Sequence, residues 1–344
     1  MTDNRPKMLI IDGSSVLTTC YYANLPTEVK RAKTEEEKEL YYGEILQTSE
    51  GIYTNGILGF IKIFTRWLKD WNPDYVVIAF DKSRKTTFRK QMYADYKGHR
   101  SKTPKPLSNQ ILLIQELLAD CHIPVLLSNL YEADDLAGSV AEKYKEIMQV
   151  RLITKDRDYL QLVDDTYDVK CMIMTDDATA KQFREDYGIP VPDEYCYRNI
   201  MEFTEHRVKS EKGVMPESIV DLKALAGDTS DNIPGVKGIS STTAGTLLNH
   251  YGTIEKLYDT IHADTSKKAL KELSESWKDE LGLKRSPVNA LIAGEESAYL
   301  SKKLAAIKRD IPLPDLTAFP TSSINQDQFL YWMQQLEFNT QLLG

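Results

Sequence analysis

Three times in the first half of this chain an apolar run stops and an aspartate follows. Met8-Leu9-Ile10-Ile11 leads into Asp12-Gly13, Tyr75-Val76-Val77-Ile78-Ala79-Phe80 into Asp81, and Val150-Arg151-Leu152-Ile153-Thr154 into Asp156 and Asp158. Short apolar runs rich in β-branched residues read as strands buried on both faces, the pattern of a parallel sheet. Helical periodicity fills the gaps at 57–71, 107–121 and 133–148, the last with a stripe of Ala133, Leu136, Ala137, Val140, Ala141, Tyr144 and Met148. Strand and helix therefore alternate, which predicts an α/β fold with a mostly parallel central sheet flanked by helices. Such sheets bind ligands at the carboxyl ends of their strands, so Asp12, Asp81, Asp156 and Asp158 are expected in one crevice.

More acids follow the same logic. Tyr131-Glu132-Ala133-Asp134-Asp135 opens the helix at 133–148. Gly227-Asp228-Thr229-Ser230-Asp231-Asn232 follows a helical stretch at 218–226. Taken singly, each has an ordinary explanation: a strand-end Asp makes a turn or caps a helix, and Glu132, Asp134 and Asp135 are favourable charge at a helix N-terminus. It is their coincidence that points to a metal centre. Crowded carboxylates repel unless cations neutralise them, and an all-oxygen donor set selects Mg²⁺ or Mn²⁺. Zinc is not signalled, because the four cysteines and five histidines are scattered, and no Gly-x4-Gly-Lys-Ser/Thr phosphate loop occurs, which leaves the chemistry to carboxylates. Beyond the acids, Ile233-Pro234-Gly235-Val236-Lys237-Gly238-Ile239 precedes a helix at 241–251. Residues 218–251 read as a helix-hairpin-helix whose glycine N–H groups approach a phosphate, with a plain interhelical turn as the alternative.

The net charge of −8 argues at first against a nucleic-acid partner. Its distribution does not: the segment 82–105 carries Lys82, Arg84, Lys85, Arg89, Lys90, Lys97, Arg100, Lys102 and Lys105 against one acid, Asp95. Tyr93 and Tyr96 are interleaved with these bases and suit stacking on unpaired bases, with core packing the equal alternative for Tyr93. This segment is expected to form a mobile arch over the site. With 42% hydrophobic residues, no apolar run near the roughly 20 residues of a membrane span, no signal peptide and no paired cysteine motif, the chain reads as a cytoplasmic protein, by default a monomer.

Together these segments resemble the 5′-nuclease domain of bacterial DNA polymerase I, related to phage 5′ nucleases and flap endonucleases. The resemblance spans nearly the whole chain, through Leu9 to Gly13, Phe80-Asp81, Thr87 to Arg89, Tyr96 to Arg100, Tyr131 to Asp135, Thr154 to Asp158, Gly227 to Gly238 and Tyr299 to Ile307. It implies nine metal-surrounding acids at Asp12, Asp81, Glu132, Asp134, Asp135, Asp156, Asp158, Asp228 and Asp231, and none is missing. It places the family's active-site lysine at Lys97, an aromatic near the DNA end at Tyr96 and phosphate-contacting bases at Arg89 and Arg100, and it suggests K⁺ on carbonyls of the 235–238 hairpin. Two departures are a charged insertion at about 28–47, read as a solvated helix, and an enlarged stretch at about 195–215.

The expectation is a nuclease core over 1–190 and a helical DNA-binding region over 191–344. The chain leaves no room for a polymerase, so a free-standing 5′-3′ exonuclease or flap endonuclease is expected. Two ions would activate water and stabilise the departing oxygen, leaving 5′-phosphate and 3′-hydroxyl ends. Glu132, Asp134, Asp135 and Asp156 are expected as the main direct ligands. DNA with 5′ ends, flaps or branches, RNA primers among the candidates, is the expected partner, in replication or repair. The rival reading is a non-catalytic branched-DNA binder. A phosphatase is disfavoured because Asp12-Gly13-Ser14 lacks the second Asp of an Asp-x-Asp motif.

Overall fold

Each apolar run forms a strand whose alternate residues enter two cores. In the computed structural model, which describes residues 4–82, 85–189 and 199–339, the strands are β1 (Lys7–Asp12), β2 (Tyr75–Asp81), β3 (Val125–Ser128), β4 (Gln149–Thr154), β5 (Val169–Met174) and β6 (Ile200–Phe203). They make one sheet in the order β3-β2-β1-β4-β5-β6, all parallel except the antiparallel β6. Met8, Ile10, Val77 and Leu152 face one core, while Leu9, Ile11, Val76, Ile78 and Phe80 face the other. This two-sided burial is why the strands read as continuous apolar runs. The expected mostly parallel sheet flanked by helices is borne out.

The second core is closed by helices Gly13–Ala23, Asn55–Trp71 and Lys105–Asp120, through Val16, Leu17, Phe60, Phe64, Trp67, Ile114 and Leu117. Helix Ala133–Tyr144 covers the first, and that core runs on into the helices of residues 205–305 through Leu225, Leu247, Leu257 and Tyr258. The strand order reverses at β1, with β2 and β3 to one side and β4 and β5 to the other. β1 and β4 therefore flank the topological switch point, where an open α/β sheet leaves a crevice.

Three expectations need correction. The division at residue 190/191 does not separate two structural units: β6 pairs with β5 through Cys171↔Phe203 to Met174↔Ile200. Helix Gln326–Gln335 also returns to the α/β unit, packing on helix Lys105–Asp120 and burying Phe329, Met333 and Leu336 in the second core. At about 2 kcal/mol for each such side chain, the last helix belongs energetically to the α/β unit. The insertion at 28–47 is not one helix but two five-residue helices, Thr27–Arg31 and Glu35–Glu39, and a 3₁₀ turn, Tyr42–Glu44, pinned by buried Val29 and Ile45. A Thr34 capping box starts the second helix, whose residues are all outside the core. The helix expected to reach 148 ends at Tyr144, because residues 145–148 turn the chain into β4. In the enlarged stretch at 195–215, residues 195–198 lie outside the described residues, and the rest supplies β6 and helix Glu205–Lys212.

Candidate metal centre and nucleic-acid interface

The capping and ligand readings of the strand-end acids meet on the same side chains. Asp12 caps helix Gly13–Ala23, accepting from the Ser15 N–H at 2.9 Å on Oδ1, while Thr154 at the end of β4 donates its hydroxyl to Oδ2 at 2.8 Å. That second bond crosses the switch point. Asp81 at the end of β2 accepts from the Ala133 N–H at 2.9 Å, tying the strand to the first turn of helix Ala133–Tyr144. The caps fix the carboxylates in place, which is what a ligand set requires. Asp12, Asp81, Glu132, Asp134 and Asp156 line one cleft, with Lys97, Arg100, Lys155 and Tyr159. Asp156, Asp158, Asp228 and Asp231 line an adjoining groove of about 700 Å³, with Arg100, Lys155, Arg157, Lys212 and Lys223. The two share Ser15, Arg100, Lys155 and Asp156, so eight of the nine acids open into one continuous crevice.

The ninth is Asp135, whose side chain is fully buried. Arg89 donates to both its oxygens at 2.7 Å, the Glu132 N–H reaches Oδ2 at 3.1 Å and the Lys308 N–H reaches Oδ1 at 2.8 Å. Its carboxylate lies close to those of Glu132 and Asp134, a grouping able to hold an ion, yet four N–H bonds already occupy its oxygens. Asp135 thus anchors Arg89, while remaining within reach of the same ion as Glu132 and Asp134. The same contacts correct Arg89, expected to clamp DNA. Its guanidinium is 1% exposed and also donates to Glu132 Oε2 at 2.9 Å and to the carbonyls of Leu304 and Ala306 at 2.8 Å each. No donor faces outward to meet a phosphate.

Tyr96 is likewise corrected as a stacking aromatic. It is 3% exposed, packs with Ile233, Leu304 and Ala305, and its hydroxyl donates towards Glu132 at 3.0 Å and Asp231 at 3.2 Å. Tyr93 packs against the same cluster, the alternative its sequence context left open. The basic segment forms a strap lying on the site, with one short helix, Phe88–Met92; Arg84 lies outside the described residues. Its Lys97 N–H donates to the Asp231 carbonyl at 2.9 Å, and Asn232 donates to the Asp95 carbonyl at 2.8 Å. Both Lys97 and Asn232 take the left-handed conformation, with φ of 51° and 56°. Strain of this kind persists where surrounding structure enforces it, often at functional sites. Lys97 Nζ then lies 3.0 Å from Glu132 and 3.5 Å from Asp231, and the half-exposed Arg100 pairs with Asp231.

In the hairpin, Gly235 has φ of 62° and sits so close to Gly227 that a Cβ would lie 2.2 Å from its nitrogen. Only glycine fits there. The Gly235 N–H donates to Ser301 Oγ at 2.9 Å and the Val236 N–H to the Leu225 carbonyl at 2.8 Å. Those two expected phosphate donors are therefore turned inward, leaving Lys237, Gly238 and the start of helix Ser241–Tyr251 on the outer side.

Sequence reading missed Lys223. It donates to both Asp158 and Asp228. It stands in the last turn of helix Ile219–Ala226 with no spacing signal to connect it to Asp158. Thr154, Arg157 and Lys212 were missed as well, being unremarkable residues until the fold sets them beside the acids.

Among the described residues four cations, Arg89, Lys97, Arg100 and Lys223, pair directly with members of the nine acids, and burial of the acids shows in their proton affinity. Burial and then the neighbouring Asp81 push the Asp12 carboxyl up to about 7. Burial and then Asp156 push Asp158 up to about 6. Burial raises Asp134 well above the carboxylate range even beside Arg89. Glu132 and Asp228 go the other way: burial is outweighed by Lys97 and Arg89 for the first and by Lys223 for the second. Asp12 and Asp134 are the least compensated acids on their side of the crevice. Oxygen-only donors that resist ionising together fit a hard divalent cation.

The sequence matches the 5′-3′ exonuclease N-terminal resolvase-like domain over residues 7–188 and the 5′-3′ exonuclease C-terminal SAM fold over 214–327. The chain belongs to the 5′-3′ exonuclease family. Among relatives of this nuclease family, a 5′-3′ exonuclease of Aquifex aeolicus is 34% identical over 251 residues, 73% of this chain and 71% of that one. DNA polymerase I of Caldicellulosiruptor bescii is 34% identical over 336 residues, 97% of this chain but 33% of the polymerase. The chain spans about a third of the length of the DNA polymerase I relatives it matches. A bacteriophage T5 flap endonuclease, solved as a pseudo-enzyme-product complex with DNA and metal ions, shares the fold: TM-score 0.55 at 16% identity, covering 98% of this chain and 99% of that one.

Proposed function

We propose that this exonuclease-family chain hydrolyses DNA phosphodiester bonds at 5′ ends, flaps or branch points with divalent cations, in replication or repair. The observation that carries this reading is the convergence of eight carboxylates, from β1, β2, β4, helix Ala133–Tyr144 and the hairpin, in one crevice at the switch point. Asp12, Asp81 and Asp134 with Glu132 would hold one Mg²⁺ or Mn²⁺ ion, and Asp156, Asp158, Asp228 and Asp231 a second. Such ions would supply Lewis-acid polarisation of the scissile phosphate and a lowered pKa for water.

The chain's own residues would do the rest. Lys97, held over Glu132 by the strap, would offset charge developing on the phosphate, and Arg100, open to both grooves, would orient the strand. Lys237, Gly238 and the N-terminus of helix Ser241–Tyr251 would take a backbone phosphate further along the duplex. The finer proposal of K⁺ at the hairpin would require it to share the Gly235 and Val236 carbonyls with Ser297 Oγ and the Ile239 N–H. A cytoplasmic, monomeric enzyme belongs to the same proposal; among the described residues no helix is long and apolar enough to cross a membrane. Acceptance of RNA primers is part of the same proposal.

The test is cleavage of an end-labelled 5′-flap duplex in Mg²⁺, in EDTA, and by Asp134→Ala in Mg²⁺. Cutting near the junction that needs both the metal and Asp134 is expected. Tight flap binding without any product would move the reading to a non-catalytic junction binder.

A further inference from the structure

The two halves of the crevice differ in how their charge is met. Asp12 and Asp81 take their hydrogen bonds from backbone N–H groups and a threonine hydroxyl, and beside them the cations Arg89 and Lys97 converge on Glu132, with Arg89 3.8 Å from Asp134. On the other side, Asp158 and Asp228 both accept from the ammonium of Lys223, a side chain 17% exposed. Asp158 comes from the turn after β4 and Asp228 from the hairpin loop, so Lys223 bridges two elements at the spot their carboxylates share. A lysine ammonium is a compact charge on a flexible stem, and a divalent ion cannot enter beside it without strong like-charge repulsion.

We propose that Lys223 is a resident counter-cation for the Asp158/Asp228 side, and that a second divalent ion binds there only after the ammonium has swung to a phosphate of bound DNA. This rests on the two-ion reading of the site given above. Lys223 lines the same groove as Arg157, Lys212 and Ser241, so a strand in that groove offers the ammonium an anion without leaving the site. The protein without DNA thereby keeps its second acid cluster neutralised and its second ion unbound. By linkage, DNA that recruits the second ion is itself held more tightly once that ion is bound. Lys223 is a positioning residue in this scheme, since its effect on the reaction passes through ion occupancy.

The experiment is Mn²⁺ titration of the full chain without DNA, read by calorimetry and by the electron paramagnetic resonance of free Mn²⁺. Wild type should bind one ion tightly. Lys223→Met, similar in volume and uncharged, should bind two, the second at least tenfold tighter than in wild type; Lys223→Gln carries the same expectation should the methionine variant fold poorly. Lys223→Arg should keep the wild-type stoichiometry. Adding a 5′-phosphorylated duplex without a flap should bring the second ion to wild type. If wild type without DNA binds two ions as tightly as Lys223→Met, or if the neutral variants gain no second ion, the counter-cation role is overturned while the metal centre stands. Absence of tight Mn²⁺ binding in every variant would overturn the metal centre itself, and this inference with it.

Discussion

Arg89 and Lys97 lie eight positions apart in one basic segment, and their surroundings give them opposite work. Arg89 is sealed among Asp135, Glu132 and two carbonyls, so Arg89→Ala would strand a buried carboxylate at a cost of about 3–5 kcal/mol. Urea unfolding in EDTA should register that loss; full stability combined with weakened DNA binding would instead make Arg89 the phosphate clamp its sequence context suggested. Lys97 reaches the crevice. Lys97→Ala should slow single-turnover cleavage by about 100-fold or more with DNA affinity little changed, and an unaltered rate would remove it from the chemistry. The acids themselves were legible because runs such as Tyr75 to Phe80 announce their strands and thereby where Asp81 must lie. Burial was not legible: sequence spacing says nothing of the Leu304 and Ala306 carbonyls, more than two hundred residues away, that turn Arg89 inward.

At the scale of elements, the strap and the hairpin form one assembly. The bonds from Lys97 to the Asp231 carbonyl and from Asn232 to the Asp95 carbonyl join them, and Tyr96 packs on Ile233 beneath. Asn232→Gly keeps the left-handed backbone and removes one tie. Trypsin should then cut within 82–105 faster than in wild type while the melting temperature shifts little; equal cutting rates would show that the strap is held without the hairpin. The hairpin's glycines were visible in sequence, but their use was misjudged. Gly235 serves close packing against Gly227 and Ser301, an interior demand no motif reveals. The insertion was misread for a related reason: its mixed charge suggested one solvated helix, yet Val29 and Ile45 anchor it at two points and the chain between them must turn.

For the whole molecule, the sheet connects crowded charge to stability, because the strands that fix Asp12 and Asp81 also build both cores. Asp12 and Asp158 have carboxyls raised to about 7 and about 6, and burial raises Asp134 as well, all above their values in the unfolded chain. A raised carboxyl contributes stability that is complete below its unfolded pKa and is lost as pH rises through its folded one. The metal-free protein should therefore lose the part carried by Asp12 and Asp158 between about pH 4 and pH 7 as these two groups ionise. Glu132 and Asp228 are shifted down and stay ionised across the upper part of that window, so they do not cancel the effect. A cation binds the ionised acids, so stabilisation by Mg²⁺ should grow over the same range in which the metal-free protein weakens. The gap in melting temperature between Mg²⁺ and EDTA is expected to be wide near about pH 8 and to narrow towards about pH 5.5, with Asp12→Asn flattening part of the slope. A gap of constant size across that range would mean that the carboxylates are already ionised without metal, and the crowding inferred from their convergence on the switch point would not govern how this crevice takes up its ions.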